Sequence, residues 1–86
     1  MYRDVSQDNK KCDDTGSIIT GAANVAFVLT HEHANILNCK EKCIETVGCI
    51  AMSGIYGRWC IGCKTRLNVY HYGAESYIRD IPGMKY

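Results

Sequence analysis

The sequence is poor in several things that would declare a function. It has no apolar run of 18 residues, so no transmembrane helix is expected. It has no excess of either charge: ten basic and nine acidic residues leave a net charge of +1. Bulk electrostatics therefore offer nothing for nucleic acid or an anionic membrane surface to recognise, and neither partner is expected. There is no Asn-x-Ser/Thr sequon, no Ser/His/Asp order, no H-E-x-x-H and no glycine-rich phosphate loop. No secretory leader is recognisable, so an extracellular placement implies a mature fragment or an excised module, with Met1 as an expression start. No internal repeat or low-complexity segment is present, and 86 residues make one domain.

Apolar residues gather in four clusters: Ile18-Ile19, Val25 to Leu29, Ile36-Leu37 and Ile50 to Trp59. They suffice for a small core. A chain of this length buries only ~60–65% of its unfolded surface, so that core is marginal without cross-links. Six cysteines can supply them. After Cys12 come Cys39, Cys43, Cys49, Cys60 and Cys63, in the order C-x3-C-x5-C-x10-C-x2-C.

Residues 1–11 are polar and aperiodic and read as a flexible N-terminal tail. Residues 12–82 form the expected module, and 83–86 a C-terminal tail. Within the module, a Gly/Ser/Thr-rich turn separates Ser17–Thr20 from Val25–Leu29, and the latter has strand composition. Residues 32–47 carry a helical pattern. Ile36, Cys39, Cys43, Ile44 and Val47 fall on one face, Thr30 or Asn35 can cap the start, and Gly48 suits the end. Strand segments follow at Ile50–Tyr56, Trp59–Thr65, Val69–Tyr72 and Ser76–Ile81, with turns at Gly57-Arg58 and Gly73. One helix with four or five short strands is an α+β fold.

Three chemistries suit the cysteines. Trp59-Cys60-Ile61-Gly62-Cys63-Lys64 looks like the W-C-x-x-C-K site of thioredoxins. That thiol oxidoreductase reading needs Cys60 at a helix N-terminus and a cis-proline downstream. Ile61-Gly62 starts a helix poorly, and the sole proline is Pro82, near the end. Alternatively, Cys39, Cys43, Cys60 and Cys63 supply four thiolates to a zinc ion in an intracellular interaction module, with His31, His33 and His71 in reserve. This leaves Cys12 and Cys49 unassigned. A disulfide framework uses all six, with fifteen possible connectivities. A Cys43–Cys49 bridge pins the helix end to the next strand. Cys39, one turn earlier, reaches Cys60 on a strand passing beneath. Cys63 faces the opposite side of that strand and is available to Cys12. Cys39–Cys63 with Cys12–Cys60 is the alternative.

The pattern resembles the PAN/apple module. That family carries a helix with C-x3-C, a third cysteine after a glycine-ended turn, a strand of the form C-x-A-F-x-Y and a further strand opening with cysteine. The matching residues are Cys39, Cys43, Gly48, Cys49, Ala51, Met52 and Cys60, followed by Lys64. The resemblance spans roughly residues 12–80. It implies a single helix packed on a curved antiparallel sheet of about five short strands, with pairs Cys39–Cys60 and Cys43–Cys49. Met52 and Gly54 depart from the usual aromatics, and the family's late sixth cysteine has no counterpart beyond Cys63. The resemblance implies a secreted binding unit without cofactor, metal or catalytic residues, one of several tandem sister modules. A lone six-cysteine frame is most similar to the apple modules of coccidian (Eimeria-like) microneme adhesins. It thus implies storage in a microneme organelle, a protein or host cell-surface glycan partner, and a part in host-cell attachment and invasion.

The binding residues expected on this reading are Tyr56, Arg58, Lys64, Arg66, Tyr70, His71 and Tyr72, aromatic and cationic groups near turns. His31 and His33 flank Glu32, an arrangement read as a solvated helix entry, since no convergent ligand set accompanies it.

Overall fold

The computed structural model describes residues 1–12 and 25–79. The apolar piece at Ser17–Thr20 and the C-terminal tail at 83–86 lie outside them. Five strands form an antiparallel sheet in the order β1 (Tyr2–Arg3), β7 (Glu75–Ile78), β4 (Ala51–Ile55), β5 (Trp59–Cys63) and β3 (Val25–Thr30). A two-stranded ribbon pairs β2 (Lys10–Lys11) with β6 (Val69–Tyr70). Among the described residues one α-helix, α1 (Ile36–Glu45), packs on one face of the sheet, giving a small α+β fold with three disulfides.

The central hairpin sets the layers. Strands β4 and β5 pair from Ala51↔Cys63 to Ile55↔Trp59 around a turn whose Gly57 has φ 94°. Alternation along β5 sends Cys60 and Gly62 toward the helix, and Trp59, Ile61 and Cys63 to the other side. On the helix side, Ala34, Cys39, Cys43, Cys49, Met52 and Cys60 are buried, with Phe27, Leu29, Tyr56 and Tyr77 around them. The opposite side buries Cys12, Ala51, Ile61, Cys63, Leu67 and Ile78. A bulge in β3 between Val25 and Phe27 places Ala26 and Phe27 both with the helix-side core, while Val25 packs with the opposite one. The phenyl ring of Phe27 lies across Gly62, where an added Cβ would stand 2.1 Å from it.

The helix is shorter than its pattern over 32–47 suggests. His31–Ala34 form a 3-10 turn, entered through His31 at φ 56°. Asn35 is the cap: its side-chain oxygen accepts the Asn38 N–H at 2.9 Å. At the far end Thr46 donates to the Lys42 carbonyl through both its backbone N–H and its hydroxyl, and Gly48 turns at φ 87°. The buried stripe is also narrower than expected. Ile36, Ile44 and Val47 are 37, 52 and 90% exposed, leaving Cys39 and Cys43 as the buried residues of α1. Two covalent tethers at those cysteines set how the helix is rotated, and the aliphatic flank turns outward.

Residues 1–11, expected as a flexible tail, are instead built into the sheet. Tyr2 and Arg3 pair with Ile78 and Tyr77, and Lys10 and Lys11 with Tyr70 and Val69. The two buried serines hold this segment down: Ser53 Oγ donates to the Lys10 carbonyl, and Ser76 Oγ donates to the Gln7 carbonyl. Arg3 closes the turn between them, its guanidinium donating to both oxygens of Asp8 and to Glu75. The segment is fixed by polar pairing rather than by an apolar stripe, so hydrophobic periodicity carries no trace of it.

Candidate functional site

Among the described residues, the side of the sheet away from the helix is only partly covered. The β2–β6 ribbon crosses it, and beside the ribbon lies an open, mostly apolar cleft of about 270 Å³ lined by Lys11, Val28, Trp59, Ile61 and His71. Its floor is β5, where Trp59 and Ile61 share one face two residues apart. Its outer wall is Val28 of β3, paired with Ile61 and half exposed at the sheet's outer strand. The ribbon supplies the upper wall. Lys11 is fixed by the Lys11↔Val69 pairing, and its carbonyl accepts the Asn68 N–H. His71 follows β6, its backbone N–H donating to the Asn9 carbonyl at 2.8 Å. The imidazole packs edge-on against the Trp59 indole, centroids 4.8 Å apart.

The disulfides hold this architecture. Cys12–Cys63 joins the end of β2 to the end of β5, with Cα atoms 6.0 Å apart. Cys39–Cys60 ties the helix to the middle of the sheet, and Cys43–Cys49 ties its last turn to the approach to β4. The alternative exchange of partners among Cys12, Cys39, Cys60 and Cys63 does not occur. With no free cysteine, neither a four-thiolate zinc site nor a dithiol at Cys60 and Cys63 is available in this oxidised chain. Three disulfides belong to an oxidising environment. Among the described residues no helix is long and apolar enough to cross a membrane.

The seven expected binding residues do not form one cluster. His71 lines the cleft, while Tyr70 and Tyr72 on either side of it are 71 and 78% exposed. Arg58 is exposed in the turn before Trp59, and its carbonyl accepts the His31 N–H. Lys64 belongs elsewhere: it leaves the opposite end of β5, and its stem runs beside Gly48 below the helix. Arg66 is exposed in the loop between β5 and β6. Tyr56 lies on the helix side, its hydroxyl donating to the Glu75 carbonyl at 2.8 Å and its ring edge-on to Tyr77. Burial, with Tyr77 and Glu75 nearby, holds its phenol protonated well above the usual range.

Lys11, Val28 and Ile61 were not singled out from the sequence. Lys11 sat in an apparent tail, and Val28 and Ile61 looked like ordinary strand residues. One signal was present: the only tryptophan stands two residues before Ile61 in a strand whose alternation gives both the same face. His33 and Glu32 stand 3.9 Å apart, both largely in solvent, as a solvated helix entry requires. Among the described residues no group of three or more His, Cys, Asp or Glu could hold a metal ion.

Comparison of the chain with protein-family models, curated proteins and solved structures finds no match.

Proposed function

We propose that this chain is an extracellular binding module that engages a protein or a cell-surface glycan and carries out no reaction. The observation that carries this reading is the cleft on the ribbon side, whose His71 lies between the exposed Tyr70 and Tyr72 in the chain, mounted on a sheet cross-linked above and below. Small apolar depressions flanked by exposed aromatics are the usual anchors of binding surfaces. Tyrosines bring large contact area at low entropic cost. The disulfides support an oxidising, secreted setting.

The PAN/apple resemblance supports the finer reading of one module among tandem copies in an adhesin held in a microneme organelle and released to attach the parasite to host cells. Weak single sites then act through avidity. The test uses the oxidised chain, immobilised singly and as a linked tandem, against a glycan array and against solubilised host-cell surface protein. Saturable capture that falls when Tyr70 and Tyr72 are changed to Ser is expected. Capture that survives those changes and also survives filling the cleft by Val28→Trp would overturn this assignment of the site, and no capture in either format would overturn the binding reading.

A further inference from the structure

We propose that the outer edge of β3 is a docking strand, to which a partner polypeptide adds as one further extended strand of the sheet. This rests on the binding-module reading above and names the kind of partner: a short extended segment with apolar side chains at alternate positions, seated beside the cleft.

The ladder between β3 and β5 fixes which backbone groups face outward. The His31 N–H donates to the Arg58 carbonyl at 2.8 Å, one position beyond Thr30↔Trp59, so that pair is bonded. Antiparallel pairs alternate between bonded and non-bonded, which makes Leu29↔Cys60 and Phe27↔Gly62 bonded and leaves Val28↔Ile61 and Thr30↔Trp59 non-bonded. The N–H and C=O of Val28 and Thr30 therefore point away from β5. Strand β3 ends the sheet on that side, and among the described residues nothing pairs with these groups. Val28 is 53% exposed and Thr30 is exposed, so water reaches this edge.

Sheet edges are commonly blunted by charge, by proline or by shortness. The other edge follows that rule: β1 is two residues long and carries Arg3, held by Asp8 and Glu75. Strand β3 reads Val-Ala-Phe-Val-Leu-Thr, with neither charge nor proline. Its bulge between Val25 and Phe27 confines the regular edge to residues 27–30, a span of about 14 Å. A strip that short is far from the ~1,200–2,000 Å² buried where two folded copies associate stably. It suffices for a peptide strand, whose affinity comes from main-chain hydrogen bonds.

Position ties this edge to the cleft. Residues opposed in a ladder share a face, so a partner residue opposite Val28 projects to the ribbon side with Val28 and Ile61. Opposed Cβ atoms stand ~4.5–5.5 Å apart, which lays that side chain against Val28, the outer wall of the cleft. An apolar or aromatic side chain there extends the apolar wall. The main chain then supplies affinity, and the residue opposite Val28 supplies selectivity.

The probe is a heptapeptide selected from a phage-displayed random library on the oxidised chain, synthesised plain and with N-methyl groups on its three central residues. Selected sequences should alternate apolar with polar residues. The plain peptide should bind saturably and slow amide hydrogen exchange at Val28 and Thr30, while Leu29, already bonded to β5, changes little. N-methylation removes main-chain donors on both edges of the peptide and should abolish binding. Val28→Pro removes one outward N–H without touching the ladder to β5, and should weaken binding about fivefold or more. Val28→Thr keeps that N–H and the branched shape, and should bind within about twofold. Each variant is first shown to hold three disulfides by intact mass. Should Val28→Pro fail to fold, the N-methylated peptide and the exchange pattern still decide. No selectable peptide, equal affinity for the plain and N-methylated peptides, or unprotected Val28 and Thr30 amides in the saturated complex would overturn the proposal. Protection of both amides that grows with protein concentration in the absence of peptide would also overturn it, in favour of a second copy on the same edge. Capture of a glycan or of host protein that leaves both amides unprotected would sink the strand partner and leave the module reading intact, whereas no capture in any format sinks both.

Discussion

Gly54 and Gly62 lie diagonally across the β4–β5 ladder, which pairs Met52↔Gly62 and Gly54↔Cys60, and each is glycine for a different reason. A Cβ on Gly54 would stand 2.4 Å from the Trp59 carbonyl oxygen and 2.7 Å from the Cys60 Cα, so the obstacle is backbone. The three atoms nearest a Cβ on Gly62 all belong to the Phe27 side chain. Backbone in a paired strand cannot move without breaking its ladder, whereas a ring can turn. Gly62→Ala should therefore cost about 1–3 kcal/mol, the usual range for overpacking, and Gly54→Ala should cost more. Urea unfolding of the two variants checks the order, and a Gly54→Ala protein as stable as Gly62→Ala would contradict it. At the helix start, Asn35→Ala removes the side-chain acceptor for the Asn38 N–H and should cost about 1 kcal/mol in the same experiment.

At the scale of elements, the N-terminal segment hangs on Asp8. The hydrogen bonds from the Arg3 guanidinium, with the Ser76 N–H, hold its carboxyl below the ordinary range despite the cost of partial burial. A carboxylate whose pKa falls on folding stabilises the fold fully above its unfolded value, ~3.9, and that contribution is lost as pH drops through the lower folded value. Strand β1 and the turn to β2 should therefore loosen below about pH 4, seen as faster amide exchange at Ser76 before the β4–β5 amides are affected. In Asp8→Asn this acid step should disappear, and an unchanged acid profile would refute the assignment. The same segment shows what could be read from residues alone. The helix, the β4–β5 hairpin and the Gly73 turn were legible, because apolar period and glycine placement mark them locally. The first eleven residues were not. Their Lys10 and Gln7 carbonyls accept from Ser53 and Ser76, 43 and 69 residues away respectively, and no local pattern encodes such pairing. The place of Lys11 in the cleft was hidden for the same reason: it is brought beside β5 only by the pairing of β2 with β6. The outward roll of Ile36 and Ile44 was equally unreadable, since tethers at Cys39 and Cys43, not the width of the apolar stripe, orient the helix.

For the whole molecule, the disulfides differ in what they hold. Sequence separations of 51, 21 and 6 residues give Cys12–Cys63, Cys39–Cys60 and Cys43–Cys49 very different closed loops. On the chain-entropy model these correspond to about 4, 3 and 2 kcal/mol respectively. A small domain has only ~5–10 kcal/mol in all, so complete reduction should unfold the chain. Intact mass should show the oxidised form about 6 Da lighter than the reduced one, two hydrogens being lost per bridge. Removing the bridges in pairs separates stability from function. Cys43→Ala with Cys49→Ala should be mildest, because the helix stays tied through Cys39, and the cleft on the opposite side of the sheet should be untouched. Cys12→Ala with Cys63→Ala should be most costly, and it also frees the end of β2 that carries Lys11 over Trp59. In that variant the Trp59 emission should shift to the red as His71 and Lys11 lift away, even under conditions where far-ultraviolet circular dichroism still reports a folded sheet and helix. A Trp59 spectrum unchanged in the Cys12/Cys63 variant but altered in the Cys43/Cys49 variant would mean that the helix, not the ribbon, shapes the cleft.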